Sequence, residues 1–138
     1  AESCTGGLVS AALTDIPGSG EVFDRGFVTY AYAAKTAMLG VPEAMLAEHG
    51  AVSEPVARAM ASGALRASDA QLAVAITGVA GPGGSEAKPE GLVWFAVASP
   101  AGLRTLRCDF GPLGREAVRQ RSVETALDLA LQALTGGP

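Results

Sequence analysis

Residues 92–108 read LVWFAVASPAGLRTLRC, and this stretch decides the fold. Its first part, residues 92–98, is an apolar run with β-branched and aromatic side chains, which predicts a buried strand. Residues 99–102 contain Pro and Gly and predict a turn. Residues 103–108 then alternate apolar with polar side chains, as a strand with one wet face does. Together they predict a β-hairpin, and the apolar run at residues 71–76 predicts a further strand buried on both faces.

Helical segments alternate with strands in the first part of the chain. Small and apolar residues, bounded by Ser, Pro or Gly, predict helices over residues 5–15, 33–39, 42–48, 53–67 and 115–134. Residues 25–30 have the β-branched and aromatic bias of one more strand. The early alternation and the late hairpin predict an α/β fold, a three-layer α/β/α arrangement with a mixed central sheet. We expect a single domain over residues 1–138.

The composition is that of a globular protein with an acidic balance. Of the 138 residues, 49% are apolar and 17% are charged, and the net charge is −4. This charge argues against nucleic acid or an anionic membrane as the main partner. We therefore expect a cytoplasmic protein without a membrane segment. Cys4 and Cys108 have no CxxC or Cys/His spacing around them, so the sequence predicts no disulfide framework, no metal site and no cofactor.

Ser3 is the first candidate for a catalytic residue. It lies where a strand would deliver the chain to a helix that begins near Thr5. The backbone N–H groups of Thr5, Gly6 and Gly7 would be free there, and such donors can hold an oxyanion or a phosphate. The two glycines would let a substrate approach the backbone. Alternatively, Ser3 is a capping residue at an ordinary helix start.

A serine nucleophile needs a base, and lysine is the better candidate here. His49, the only histidine, stands at a predicted helix end, where a cationic ring suits the helix dipole. The chain has two lysines, Lys35 and Lys88, against eight arginines. Arginine stays protonated, whereas a buried lysine can lose its proton. Each lysine is therefore a functional hypothesis, with a solvated surface residue as the alternative.

Two tyrosines stand close to Lys35 in the sequence. Tyr30 and Tyr32 flank the end of the strand predicted at residues 25–30. A phenol beside an amine can relay a proton or orient the amine. The alternative is that both tyrosines are strand-end aromatics and that Lys35 is exposed on its helix.

Residues 77–85, TGVAGPGGS, form a Gly-rich loop after the strand predicted at residues 71–76. Backbone without side chains can approach an anion closely, so the loop is a candidate anion site, with Lys88 at its far side. It lacks the GxxxxGK[ST] spacing of a P-loop, and it does not match GxGxxG followed by a helix. A mobile connecting loop accounts for the glycines as well.

Taken together, several stretches resemble the C-terminal domain of the CinA (competence/damage-inducible protein) family, including its stand-alone PncC form. They occur in the family's order and span nearly the whole chain: AESCTGG at 1–7, FDRGFVTY at 23–30, LGV at 39–41, HGAVSE at 49–54, TGVAGPGGS at 77–85, KP at 88–89 and GLVWF at 91–95. So many matching blocks exclude a chance resemblance.

The resemblance implies hydrolysis of the carboxamide of nicotinamide mononucleotide to the acid and ammonia, a step of pyridine nucleotide recycling. It carries a Ser/Lys/Tyr-type site onto Ser3 as nucleophile, Lys35 as base and Tyr30 as the group that assists proton delivery to ammonia. The backbone N–H groups of residues 5–7 would hold the oxyanion. Our hypothesis for the ribose-phosphate end is the Gly-rich loop, with the binding positions Thr77, Gly78, Gly81, Ser85 and Lys88.

The chain departs from the family's pattern in two ways. Family members carry a helix and the start of a strand before AESCTGG, and this sequence lacks both, so we expect a shortened first strand. Tyr32 stands where the family often has Asn, which leaves the choice between Tyr30 and Tyr32 open.

The family forms homo-oligomers, and we expect a homodimer or a higher homo-oligomer. Two other function classes stay open. One is a non-catalytic nucleotide-binding or assembly domain, and the other is an amidase acting on another small amide.

Overall fold

The computed structural model describes residues 1–136. In chain order its elements are α1 (Leu8–Thr14), a short 3₁₀ helix (Ser19–Glu21), α2 (Tyr32–Leu39), α3 (Glu43–His49), α4 (Glu54–Arg66), β1 (Ala73–Gly78), β2 (Leu92–Ser99), β3 (Gly102–Asp109) and α5 (Arg115–Thr135). The last two residues of the predicted domain, 137 and 138, lie outside the described range. No helix within that range is both long and apolar enough to cross a membrane.

The strands form an antiparallel sheet in the order β1-β2-β3. Ile76 lies opposite Phe95, and Phe95 lies opposite Leu106, so the predicted hairpin is confirmed. On the other side of β1, Glu2 makes parallel bridges to both Ile76 and Val28. The central sheet is therefore mixed, as predicted.

Alternate strand residues point into two cores, because successive side chains of a strand leave on opposite faces. The face toward α2, α3 and α4 is built from small residues, Ala75, Ala96 and Ala98. The face toward α1 and α5 is built from larger ones, Ile76, Val93 and Phe95. The chain therefore folds as three layers, α/β/α, and the predicted α/β class is confirmed.

Helix α4 approaches α2 closely at Gly63. A Cβ at this position would lie 2.0 Å from the backbone oxygen of Leu39, the last residue of α2. A carbon atom does not fit at that distance, so glycine is what lets the two helices lie this close.

Two boundary predictions are wrong. The strand predicted over residues 25–30 is reduced to a single bridge at Val28, because Glu2 is the one described residue that pairs with this segment. The first helix begins at Leu8 and not at residue 5. Gly6 and Gly7 have φ values of 58° and 108°, which lie outside the right-handed helical region.

Candidate active site

Ser3 lies at the point where the extended start of the chain turns toward α1. Its backbone N–H donates to Ile76 O at 3.0 Å, and its carbonyl accepts from the Gly6 N–H at 3.1 Å. The first bond fixes Ser3 to β1 and the second closes the turn that follows. Ser3 is 8% exposed and lines a cavity, so its hydroxyl is held in one place while ligands can reach it.

The side chain that holds this turn is Glu2. Its carboxylate is buried and accepts five hydrogen bonds, from Thr5 Oγ1 (2.6 Å), Gly7 N–H (3.2 Å), Val9 N–H (2.9 Å), Ser10 N–H (2.9 Å) and Ser10 Oγ (2.7 Å). These include N–H groups that the start of α1 leaves without helical partners. Glu2, and not Ser3, therefore caps the helix. Sequence reasoning missed this role, although an acidic residue just ahead of a helix start is its signal.

Glu2 is ionised in the folded protein. Burial by itself raises the pKa of this carboxyl group, but the hydrogen bonds from Thr5, Ser10 and Val9 together outweigh burial. The net pKa of Glu2 is lowered from its ordinary value. The negative charge also stabilises the positive end of the α1 dipole.

Lys35, from the first turn of α2, is fully buried. Its Nζ lies 2.9 Å from Ser3 Oγ, 2.7 Å from Thr29 O and 3.1 Å from Tyr30 O. Within residues 1–136, no carboxylate oxygen lies within 4.0 Å of this nitrogen. Burial lowers the pKa of Lys35, and the weaker influences of Cys4 and Glu86 oppose that effect. The site thus makes the neutral amine easier to form than it is in water.

The contacts of Lys35 suit a base that takes the proton of Ser3. A neutral amine has two N–H groups and one lone pair. With both N–H groups donated to Thr29 O and Tyr30 O, the lone pair is left for the Ser3 hydroxyl. Once protonated, Nζ has three donors and three acceptors within reach. Both charge states are therefore satisfied in one geometry.

Cys4, next to Ser3, also lines the cavity. Burial raises the pKa of its thiol to about 12. Because the thiolate and not the thiol is the reactive form of cysteine, Cys4 is inert near neutral pH. Of the two neighbouring side chains, the Ser3 hydroxyl is thus the candidate nucleophile.

The two tyrosine hydroxyls have different partners. Arg115 donates to Tyr30 Oη at 2.8 Å, which leaves the Tyr30 proton free to be given away. Tyr32 donates its proton to the Glu86 carboxylate and accepts from the Ala51 N–H at 3.1 Å. Of the two, Tyr30 has the hydroxyl that can serve as an acid toward a ligand.

Ser3 and Lys35 open onto a cavity of about 340 Å³. The two tyrosines and residues 51–52 line it on the helical side, and residues 77–86 line it on the side of the Gly-rich loop. Arg115, at the start of α5, completes the wall. A volume of this size is typical of small-molecule sites.

Four of the five predicted loop positions line the cavity, namely Thr77, Gly78, Gly81 and Ser85. The hydroxyl of Thr77 donates to Ala51 O at 2.8 Å and thereby ties β1 to the opposite wall. Lys88 does not line the cavity: its Nζ donates to His49 O at 2.7 Å and to Val52 O. Lys88 therefore holds the loop against residues 49–52 and does not contribute to the cavity wall.

The three predicted oxyanion donors are the backbone N–H groups of residues 5–7. Thr5, Gly6 and Gly7 do not line the cavity. The N–H of Gly6 donates to Ser3 O, and that of Gly7 donates to Glu2. These two donors are thus already used inside the turn. Among the described residues, the N–H groups of Cys4 and Thr5 donate to no other residue.

Sequence reasoning missed Arg115 and Glu86, which both line the cavity. Arg115 donates to Gly81 O at 2.6 Å as well as to Tyr30. It is 85 residues away from Tyr30 in the chain, and no local pattern reveals such a contact. Glu86 directly follows the Gly-rich loop. The one sequence signal for it was a charged residue next to a loop that has none.

Comparison with known proteins identifies the family. The sequence profile of the CinA C-terminal domain matches residues 1–134. The chain belongs to the CinA C-terminal domain family. This CinA domain is 53% identical over 133 residues to "Nicotinamide-nucleotide amidohydrolase PncC" of Escherichia coli strain K12, covering 96% of this chain and 81% of that protein.

Longer relatives and solved structures agree with this assignment. The CinA domain is 50% identical to a "Putative competence-damage inducible protein" of Symbiobacterium thermophilum, covering 99% of this chain and 34% of that protein. It also matches the crystal structure of competence/damage inducible protein CihA from Agrobacterium tumefaciens, with a TM-score of 0.92, 51% identity, and coverage of 97% of this chain and 82% of that one.

Proposed function

We propose that this CinA domain hydrolyses the carboxamide of nicotinamide mononucleotide to nicotinate mononucleotide and ammonia, a step of pyridine nucleotide recycling. The observation that carries the proposal is the buried 2.9 Å contact between Lys35 Nζ and Ser3 Oγ on the cavity wall. A hydroxyl beside an amine of lowered pKa is a serine nucleophile with its base. The 53% identical relative from E. coli bears the name of this activity.

In the first half-reaction, Ser3 Oγ attacks the carboxamide carbon and its proton passes to Lys35 Nζ. A C–O bond forms, and the electron pair of the carbonyl π bond moves to the oxygen. Hydrogen bonds to Thr29 O and Tyr30 O, which already lie within reach, stabilise the positive charge that appears on Lys35.

The oxyanion needs donors that are in place before the reaction. We assign the N–H group of Cys4 to this task, because Cys4 lines the cavity next to Ser3 and its N–H donates to no other residue among those described.

The leaving nitrogen must gain a proton as the C–N bond breaks, and Tyr30 supplies it. Arg115, 2.8 Å from the phenol oxygen, stabilises the phenolate that results. A proton returns from Lys35 to Tyr30 through water and resets both groups. Water then attacks the Ser3 ester with Lys35 as base, Ser3 recovers its proton from Lys35, and nicotinate mononucleotide leaves.

The phosphate of the substrate is assigned to Arg115 and the neighbouring Gly-rich loop. The guanidinium uses two donors on Gly81 O and Tyr30 Oη and has others to offer. The glycines at positions 78 and 81 and the hydroxyl of Ser85 line the same wall. We carry the predicted roles of Thr77, Gly78, Gly81 and Ser85 forward on this ground.

The test is ammonia release from nicotinamide mononucleotide by the purified protein. We expect Ser3→Ala to lose at least about 10³-fold in kcat, as removal of a nucleophile does. Lys35→Arg keeps the charge but cannot act as a base, so we expect a loss of about 10²–10⁴-fold. Ser68→Ala, a serine far from the cavity, is the matched control. Release at the wild-type rate by either site variant would rule the mechanism out.

We extend the proposal to the state in which the enzyme works, a cytoplasmic homodimer or higher homo-oligomer. The support is the family resemblance, and the contacts of the site described above all lie within one chain. Light scattering after size exclusion measures the oligomeric state directly, and a monomer at assay concentration contradicts it.

A further inference from the structure

Besides Lys35, two ionisable side chains that line the cavity have no direct ion-pair partner. Within residues 1–136, no Lys, Arg or His nitrogen lies within 4.0 Å of the Glu86 carboxylate. No carboxylate oxygen lies within that distance of the Arg115 guanidinium, whose partners are a carbonyl and a phenol. The cavity thus presents one carboxylate and one guanidinium that form no direct ion pair, at separate places on its wall.

Glu86 is held in its position at the end of the Gly-rich loop. Tyr32 donates to one carboxylate oxygen, and the Ala51 N–H donates to the other at 3.3 Å. Each oxygen of a carboxylate can accept two hydrogen bonds, so both keep free capacity. Residue 86 has a φ of 52°, a left-handed conformation that is unfavourable for a residue with a Cβ. The contacts of the carboxylate therefore hold Glu86 in place despite its unfavourable backbone conformation.

The two unpaired charges match the charges of the proposed substrate. Nicotinamide mononucleotide carries a positive pyridinium ring and a negative phosphate. A fixed carboxylate repels the phosphate, which therefore goes to Arg115, and it attracts the ring. The rings of Tyr30 and Tyr32 line the same cavity, and aromatic rings also attract cations.

We propose that Glu86 is a specificity-determining residue that pairs with the positive ring of a pyridinium nucleotide, so that the site takes carboxamides on a cationic ring over carboxamides on an uncharged one. The inference rests on the proposed function and deepens it by naming the feature of the substrate that is recognised. Glu86 would thus select the substrate, whereas none of the proposed hydrolytic steps uses it.

The pairing also links substrate choice to the base. In the free protein the negative charge of Glu86 raises the pKa of Lys35, against the larger lowering by burial. A ring cation beside Glu86 cancels that influence, because the two opposite charges then act on Lys35 together. Binding of the charged ring therefore favours the neutral amine that takes the proton of Ser3.

The experiment measures affinity and not turnover, because the two rings differ in the reactivity of their amides. In a Ser3→Ala background, calorimetry gives the Kd of nicotinamide mononucleotide and of its benzamide analogue, in which carbon replaces the ring nitrogen. We expect tighter binding of the charged nucleotide. Adding Glu86→Gln should weaken binding of the charged nucleotide about fivefold, the upper end for an exposed charge pair, and leave the analogue within about twofold.

Glu90→Gln is the matched control, because Glu90 accepts from the Gly83 N–H of the same loop without lining the cavity, and the substitution removes the same charge. It should change both affinities by the same factor. Equal weakening of both ligands by Glu86→Gln, or no weakening of either, would overturn the proposal. Ammonia release by the wild-type protein is scored separately. If it is absent while the charge preference persists, the hydrolytic function fails and the ring-cation site stands.

Discussion

Glu2 and Lys35 are the two fully buried charged side chains within residues 1–136, and they lie on either side of Ser3. Five donors surround Glu2, whereas neutral oxygens alone surround Lys35. The pKa of each is lowered. For a carboxyl group a lowered pKa means that the charge is stabilised, and for an amine it means that the charge is penalised.

The difference separates a structural charge from a chemical one. Glu2 stabilises the turn that presents Ser3, and its charge state does not need to change. In the proposed mechanism Lys35 changes its charge state in every turnover, and its hydrogen-bond partners suit both states. Burial alone does not distinguish the two roles, whereas the partners of each group do.

The largest expected effect comes from replacing Lys35 with an apolar side chain of similar length. Lys35→Met should lower kcat by about 10³-fold, because the base is gone. The same change should raise the free energy of unfolding by about 1 kcal/mol at pH 7, since no charge is then desolvated on folding. Ammonia release and urea denaturation measure the two quantities. A variant that is inactive and also clearly less stable would place Lys35 with Glu2 as a structural residue.

Removal of the Glu2 carboxylate should act mainly on stability. Glu2→Ala leaves five hydrogen-bond donors without their acceptor, and we expect a loss of about 3 kcal/mol in the free energy of unfolding. Ser10→Ala removes one of these bonds and should cost about 1 kcal/mol. Denaturant melts of the two variants check the order. Equal stability of Glu2→Ala and the wild type would contradict the structural role.

The smallest effect is a difference in pH dependence. Because the folded pKa of Glu2 lies below its ordinary 4.5, its contribution is present above that value and is lost as the pH falls toward the folded pKa. Because the folded pKa of Lys35 lies below its ordinary 10.5, its penalty is full below the folded pKa and is relieved as the pH rises toward 10.5.

Both groups therefore make stability rise with pH, in two separate windows. The advantage of Lys35→Met over the wild type should be constant below the folded pKa of Lys35, and it should shrink as the pH rises from there toward 10.5. Paired melts across this range test the sign. An advantage that grows with pH would show that the folded state favours the charged amine.

The hairpin, α2 to α5 and the α/β class follow from local patterns in the sequence. The run at residues 92–108 has one apolar and one alternating strand around a Pro- and Gly-containing turn, and the described hairpin has that form. Ser3 and Lys35 could be singled out by residue type and by the family resemblance. Their contact joins residues 32 apart and depends on how α2 packs against the segment 1–3.

Apart from the Glu2 cap, whose partners are local, the features that were missed depend on distant partners. Arg115 reaches Tyr30 from the other end of the chain, and Glu86 is fixed by Tyr32 and Ala51 from the opposite wall. Residues 25–30 have the composition of a strand, but a strand also needs a partner, and in this segment Val28 alone forms a bridge, to Glu2.

The close approach of α4 to α2 at Gly63 helps to set the position of the Lys35 amine, although Gly63 lies outside the cavity. Gly63 contributes no atom to the cavity, yet its missing side chain sets the separation of α4 from the end of α2, the helix that carries Lys35. A methyl group at position 63 would displace the end of α2, and Lys35 would move with that helix. The distance between two helices outside the cavity thus affects the distance between Lys35 Nζ and Ser3 Oγ inside it.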